Sequence, residues 1–199
     1  MTAPFDARPI VVAVAGPNGA GKSTFHEAHL APAGLRFVNA DELARELALD
    51  PYAAAEVAAV LRETLLDQGE SFVFETVFSD PKGEKVAFLE KAASRGYTVV
   101  LCFIGIDGAA QSEERVAMRV AQGGHDVPSD KLVERFPRTL KNLARAIRVL
   151  PHVLVYDNGD LARPFRLAAT FERGRAVELA PDRPAWLAKV LPRGKGRQG

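Results

Sequence analysis

A single cysteine, Cys102, occurs in 199 residues. No disulfide framework can form within one chain. Cys102 lies in the apolar run 97–106, where it reads as a small core hydrophobe. An excess of charge is also missing: 26 Lys and Arg stand against 25 Asp and Glu, a formal net charge of +1. No strong field therefore steers the chain toward nucleic acid or a membrane surface. No basic, aromatic-lined groove for a nucleic-acid strand is visible either. No apolar stretch approaches the length of a membrane span. The opening Met-Thr-Ala-Pro-Phe-Asp has neither the basic nor the apolar region of a secretory signal. The expected location is the cytoplasm, where nucleoside triphosphates are available. The composition that remains, 47% hydrophobic and 26% charged, is that of a soluble globular protein. The length fits one domain with a proper core. The expected division is a single domain over 1–190 and a flexible, basic, Gly-rich tail over 191–199.

Strand and helix signals alternate, which predicts an α/β fold with a largely parallel sheet. Strands are expected at about 9–15, 35–39, 71–76, 97–105 and 152–157. The first, third and fourth are nearly continuous apolar runs, as strands covered on both faces should be. Helical patterns fill 22–30, 41–49, 51–66, 81–94, 111–122 and 129–149. Gly123-Gly124 separates the last two, and Pro128-Ser129-Asp130 restarts the helix. The runs 165–170 and 175–179 flank Glu172-Arg173-Gly174 and predict a β-hairpin.

Directly after the first strand stands Gly16-Pro17-Asn18-Gly19-Ala20-Gly21-Lys22-Ser23-Thr24. The spacing of Gly16, Gly21, Lys22 and Ser23 is that of a phosphate-binding loop. Glycines let the backbone turn so that successive N–H groups point at a phosphate. In such a loop Lys22 reaches the β- and γ-phosphates and the Ser23 hydroxyl sits on Mg²⁺. The helix that follows adds its N-terminal N–H groups and dipole to the anion site. Residues 16–24 are thus the expected ATP-binding segment, with ATP and Mg²⁺ as cofactors.

Ligands of open parallel sheets collect at the carboxyl ends of strands. There the second strand ends in Asn39-Ala40-Asp41 and the third in Glu75-Thr76. Asp41 is a candidate general base for an acceptor hydroxyl. The alternative is helix capping, because Asn39 and Glu42 resemble a capping box. Glu75 closes an apolar strand, where an unpaired carboxylate is costly to bury. With Thr76 it is a candidate for holding substrate hydroxyls, or a water on Mg²⁺; the alternative is simple exposure at the strand end. Arg115 and Arg119 share a helix face at i and i+4. Together with Arg135, Arg138 and His125 they suggest a helical lid around Gly123-Gly124, its guanidiniums neutralising a transferring phosphoryl group. The alternative is a solvated basic face paired with Glu113, Glu114 and Glu134. His125 has no Cys or His partner at metal-ligand spacing. Tyr156-Asp157-Asn158 ends the fifth strand and could touch the nucleotide base; the simpler reading, which we prefer, is that Asn158-Gly159 is a turn signal.

These pieces occur in one order: Gly-Pro-Asn-Gly-Ala-Gly-Lys-Ser-Thr, Asn-Ala-Asp, Phe-Glu-Thr, then Arg-Val-x-x-Arg-Val-x-x-Gly-Gly-His-x-Val-Pro. The series continues through Arg135-Phe136 and Leu140-Lys141-Asn142-Leu143 to Val155-Tyr156-Asp157-Asn158. Over about residues 8–160 the chain resembles the zeta-toxin family of P-loop kinases. The stretch 115–128 is the most specific part. The resemblance implies a three-layer P-loop kinase fold with strand order 2-3-1-4-5. It implies transfer of the ATP γ-phosphate to a hydroxyl of a small sugar-containing metabolite, a UDP-N-acetylhexosamine in the best-known members. By position Lys22 matches the family's loop lysine and Asp41 its catalytic aspartate. The lid arginines fall on Arg115 and Arg119, with Arg135 as a further candidate. Toxins of this kind are typically held by a small antitoxin over the nucleotide site. The chain is shorter than the members that define the activity, so segments closing the sugar-nucleotide pocket are expected to be reduced. Two other readings stand beside this one: a different small-molecule kinase acting on an antibiotic or a sugar acid, and a nucleotide-gated binding protein with vestigial chemistry.

Overall fold

The computed structural model describes residues 4–123 and 126–191; His125 and the residues after 191 lie outside this range. Five strands run parallel: β1 (Ile10–Ala15), β2 (Arg36–Val38), β3 (Phe72–Thr76), β4 (Thr98–Gly105) and β5 (His152–Asp157). Their lateral order is β2-β3-β1-β4-β5, as expected. The hairpin is not a separate appendage. Its strands β6 (Arg166–Glu172) and β7 (Arg175–Leu179) continue the same sheet antiparallel, giving seven strands. The outermost strand, β7, is exposed throughout and carries Arg175 and Glu178, charges that discourage edge pairing.

The layering follows from the apolar runs. Along β1, Val11, Ala13 and Ala15 enter one core cluster while Ile10, Val12 and Val14 enter the other. Val99, Leu101 and Phe103 of β4 alternate in the same way with Val100, Cys102 and Ile104. Successive side chains of a strand point to opposite faces, so a strand buried on both faces must be apolar at every position. Each such Val, Ile, Leu or Phe contributes about 1.5–3 kcal/mol relative to exposure.

Seven α-helices flank the sheet among the described residues: α1 (Lys22–Phe25), α2 (Ala40–Glu46), α3 (Pro51–Asp67), α4 (Glu84–Ser94), α5 (Ala109–Ala121), α6 (Ser129–Val149) and α7 (Ala185–Ala188). The first cluster is covered by α3, α4, α6 and α7, through residues such as Leu65, Leu89, Leu143 and Trp186. The second is covered by Phe25 and Leu30, from α1 and the π-helical turn His26–Leu30 that prolongs it. Helix α3 starts as its sequence dictates: Asp50 accepts from the N–H groups of Tyr52 and Ala53, and Pro51 occupies the first turn. Helix α4 starts three residues later than the pattern predicts. Gly83 is left-handed (φ 75°) and ends the preceding turn. Helix α6 runs through Pro137 and is anchored beneath the loop after β3. Thr139 donates to the Val77 carbonyl, and Asn142 donates to the carbonyls of Phe78 and Asp80. Helix α7 has no counterpart in the sequence reading, because four residues are too few to show a period.

Candidate active site

The carboxyl ends of β1, β2 and β3 lie side by side, since Ala15 pairs with Thr76 and Val38 with Phe74. The loop of residues 16–21 springs from this edge. Gly16 starts it with φ 152°, and its N–H donates to the Thr76 carbonyl. A Cβ on Gly16 would lie 2.2 Å from the Ile104 carbonyl oxygen, so β4 admits only glycine there. Gly19 and Gly21 are left-handed, at φ 73° and 86°. The chain then enters α1 at Lys22.

Glu75 is the hub of the site. Its carboxylate accepts from the Ser23 hydroxyl at 2.8 Å and from the Asn39 amide at 3.3 Å, and lies 3.7 Å from Lys22 Nζ. Lys22 is buried and also donates to the Pro17 carbonyl at 3.1 Å. A carboxylate near the end of an apolar strand is thereby paired and hydrogen-bonded, as its burial requires. Simple exposure of Glu75 is not what the fold provides. Thr76 turns its hydroxyl to the Phe78 N–H.

Asp41 and the capping role are separate. Asn39 is the N-cap of α2 and accepts from the Asp41 N–H at 2.8 Å. The Asp41 carboxylate, in the first turn, is exposed and has no hydrogen-bond or ion-pair partner among the described residues. Asp41 follows the end of β2 at the same sheet edge as Glu75, and Asn39 links the Asp41 backbone N–H to the Glu75 carboxylate. Burial raises the carboxyl of its neighbour Glu42 above the usual range; Arg45 opposes this, and Glu46, Glu75 and Glu27 add to it. His26 stacks on Phe37 at 3.6 Å between ring centroids. Burial lowers its pKa, against the pull of Glu75 and Glu27.

The arginines divide. Arg115 is half-buried and points toward the loop after β5, where its Nη2 donates to the carbonyls of Asn158 (2.7 Å) and Gly159 (3.2 Å). Burial lowers its pKa, opposed by Asp107, Asp157 and Glu114. Arg138 is paired with Glu134 at 3.1 Å, the surface ion pair that its sequence neighbourhood allows. The Arg135 guanidinium has no ion-pair partner among the described residues, and Arg119 sits one turn beyond Arg115 on α5. His125 falls outside the described residues.

Two residues that the sequence reading did not single out as site residues touch the glycine-rich loop. The Ser112 hydroxyl donates to the Asn18 carbonyl at 2.6 Å, and the Asn158 amide donates to the Ala20 carbonyl at 2.9 Å. Asn158 reads in sequence as a turn former; only its long-range partner reveals the contact. Two cavities of about 580 and 540 Å³ lie elsewhere, one at the amino ends of the strands near Arg36 and Ser71, the other along α3 near Val57 and Val60. Neither competes with the glycine-rich loop as the site. A polyphosphate is gripped by backbone N–H groups on an open rim rather than in an enclosed apolar pocket.

The chain is similar to solved structures with the same fold. It aligns with a chain of the AvrRxo1-ORF1:AvrRxo1-ORF2 complex crystallised with sulphate ions, at a TM-score of 0.72 and 17% identity, covering 94% of this chain and 64% of that one. The same complex with ATP gives 0.71 and 17%, with the same coverage. This chain therefore spans just under two thirds of the length of those relatives. A structure of the PezAT chromosomal toxin-antitoxin system of Streptococcus pneumoniae aligns at 0.53 and 16% identity, covering 92% of this chain and 77% of that one. No curated protein matches the sequence. Among protein families, the Zeta toxin family matches residues 48–168, more than half of the chain, a span that includes Glu75, Arg115 and Asn158. The chain belongs to the zeta toxin family.

Proposed function

We propose that the protein is an ATP-dependent kinase that phosphorylates a hydroxyl of a small, sugar-containing metabolite. One observation carries the reading. Lys22 and Ser23 of a glycine-rich loop converge on Glu75, and the unpaired Asp41 carboxylate stands at the same sheet edge.

In this reading the loop N–H groups and Lys22 bind the β- and γ-phosphates of ATP. The Ser23 hydroxyl and the Glu75 carboxylate are hard oxygen donors 2.8 Å apart. They suit Mg²⁺, which takes few protein ligands beside the phosphates and water. When bound, that ion neutralises charge on the phosphates. Asp41 orients the acceptor hydroxyl and takes its proton as the oxygen attacks the γ-phosphorus. The new O–P bond forms, the bond from the γ-phosphorus to the bridging oxygen breaks, and ADP departs with that electron pair. Arg119 and Arg135, on α5 and α6, are the candidates for stabilising the moving phosphoryl group. Arg115 can do so only by leaving the Asn158 carbonyl.

The likeness to the family's best-known members supports this acceptor class. A UDP-N-acetylhexosamine is the first candidate to test, and an antibiotic or a sugar acid is the second. An antitoxin that covers the nucleotide site is the protein partner to test, since the aligned PezAT structure is a toxin-antitoxin system.

The test is metabolite extraction after expression, with mass spectrometry searching for species heavier by one phosphate. Lys22→Ala and Asp41→Ala proteins serve as controls. A phosphorylated metabolite that both variants fail to make supports the proposal. The same metabolite at wild-type level with Asp41→Ala removes Asp41 from the base role. ATP binding without any phosphorylated product would favour a nucleotide-gated binding protein.

A further inference from the structure

The outer side of the glycine-rich loop is held as carefully as its inner side is left open. Three carbonyls of the loop each accept from a side chain: Pro17 from Lys22 (3.1 Å), Asn18 from Ser112 (2.6 Å) and Ala20 from Asn158 (2.9 Å). Two of these donors come from distant elements. Ser112 is on α5 and 1% exposed; Asn158 follows β5 and is 4% exposed. Both are fixed in turn. The Ser112 N–H donates to the Gly108 carbonyl, and the Asn158 N–H donates to the Gly105 carbonyl. Asn158 Oδ1 accepts from the Phe165 N–H, and Arg115 grips the Asn158 carbonyl from α5. Gln111 donates to the Gly159 carbonyl one residue on. Helix α5 and the loop after β5 thus form one hydrogen-bonded collar around residues 18–20.

A trans peptide points its C=O and the following N–H in opposite directions. Holding the Asn18 carbonyl toward α5 turns the Gly19 N–H away from α5. Holding the Ala20 carbonyl toward Asn158 turns the Gly21 N–H away from Asn158. Neither N–H has a protein acceptor among the described residues. The glycines also make room for the collar. A Cβ on Gly19 would lie 3.0 Å from Arg115 Cβ, and one on Gly21 would lie 2.8 Å from Asn158 Nδ2.

We propose that Ser112 and Asn158 are positioning residues for phosphate binding: by anchoring the Asn18 and Ala20 carbonyls outward, they present the Gly19 and Gly21 N–H groups to the polyphosphate. This rests on the reading of residues 16–24 as the triphosphate site. It adds that the site's affinity is set from α5 and the loop after β5, neither of which touches the ligand through these two side chains.

The experiment is calorimetric titration of the full chain with ATP, with inorganic tripolyphosphate and with adenosine, beside thermal melting without ligand. Ser112→Ala removes one hydroxyl, and Asn158→Leu removes the amide while keeping the branched shape. Each variant is expected to weaken ATP and tripolyphosphate by the same factor, roughly five- to tenfold, the effect of one misdirected hydrogen-bonding group. Adenosine binding, if measurable in the wild type, should not change. Unchanged polyphosphate affinity in a folded variant, even with a lowered melting temperature, overturns the proposal, because it assigns the residue to stability alone. So does failure of both variants to fold. If the wild type itself binds neither ATP nor tripolyphosphate, the kinase reading falls instead.

Discussion

The Ser23 hydroxyl donates to Glu75 at 2.8 Å, and the same carboxylate lies 3.7 Å from the Lys22 ammonium. One acid therefore occupies both the lysine and the serine on which a phosphate loop depends. An incoming triphosphate has to draw Lys22 from Glu75 and tolerate the carboxylate's charge. Glu75→Gln keeps an acceptor for Ser23 and removes the competing charge. Without metal, ATP should bind this variant several-fold more tightly than the wild type, because Lys22 no longer has to be drawn from a largely buried carboxylate. Turnover should fall if Glu75 holds Mg²⁺ with Ser23 as proposed. Calorimetry in the presence of a chelator, followed by a rate assay with Mg²⁺, separates the two effects. Weaker metal-free binding would show that Glu75 does not compete for Lys22.

Asp41 offers the opposite contrast between stability and chemistry. Its carboxylate is exposed, and Asn39 supplies the cap of α2. Asp41→Asn loses only the favourable placement of a negative charge in the first turn of a helix, below about 1 kcal/mol. A general base contributes about 10²–10⁴-fold to a rate. Denaturant unfolding and ATP affinity should be nearly unchanged, while single-turnover phosphoryl transfer drops by at least two orders of magnitude. A rate within a few-fold of wild type would leave Asp41 as a surface residue of α2.

How much of this was legible in sequence depended on the range of the contact. The central strands announced themselves because burial on both faces forbids polar residues, and their alternation placed Lys22, Asp41 and Glu75 at one edge. Lys22, Ser23 and Glu75 were then found together through the parallel register of β1 and β3. Arg115 shows the limit. Spacing puts it on the face shared with Arg119, but no local pattern reveals that this face meets the Asn158 carbonyl, 43 positions away. Ser112 and Asn158 were missed for the same reason: a serine in a helix and an asparagine before glycine have ordinary local explanations. Helix α7 leaves no sequence signal because its four residues, anchored by Trp186 and Leu187, are too few to show a period.

His26 links the fold's stability to pH. Burial against Phe37 lowers its pKa below the ordinary imidazole value, and Glu75 and Glu27 only partly offset this. The unfolded chain therefore binds a proton at a higher pH than the native one. Between the ordinary value, about 6.5, and the lower native value, the unfolded state holds more protons, so stability falls as pH falls. Above about pH 6.5 the contribution is fully present. Urea unfolding from pH 8 to 5 should show this loss, and His26→Phe, which keeps an aromatic ring against Phe37, should flatten it. Equal slopes for the two proteins would assign the acid sensitivity to the carboxylates.

The last described helix is anchored by Trp186 and Leu187, and truncating the larger of the two tests whether that corner folds with the sheet. Trp186 is 3% exposed, lies 6.1 Å from the Phe103 ring and donates weakly to Asp157 at 3.5 Å. It lies so close over Gly105 that a Cβ there would be 2.1 Å from the indole. Asp157 also accepts from Arg166 at 3.1 Å and from the Gly159 N–H, so the indole packs beside the loop that carries Asn158. Trp186→Ala should cost about 3–5 kcal/mol, as large aromatic truncations in cores do. Trp186→Phe, which keeps most of the volume and loses only a long hydrogen bond, should cost much less. The wild type contains one tryptophan, so its fluorescence reports this corner alone, while far-UV circular dichroism reports the helices and the sheet. Coincident denaturation curves from the two probes are expected if residues up to 190 form one cooperative unit. A fluorescence transition at lower denaturant would mean that α7 undocks first, and Trp186→Ala would then leave the dichroism midpoint nearly where it was.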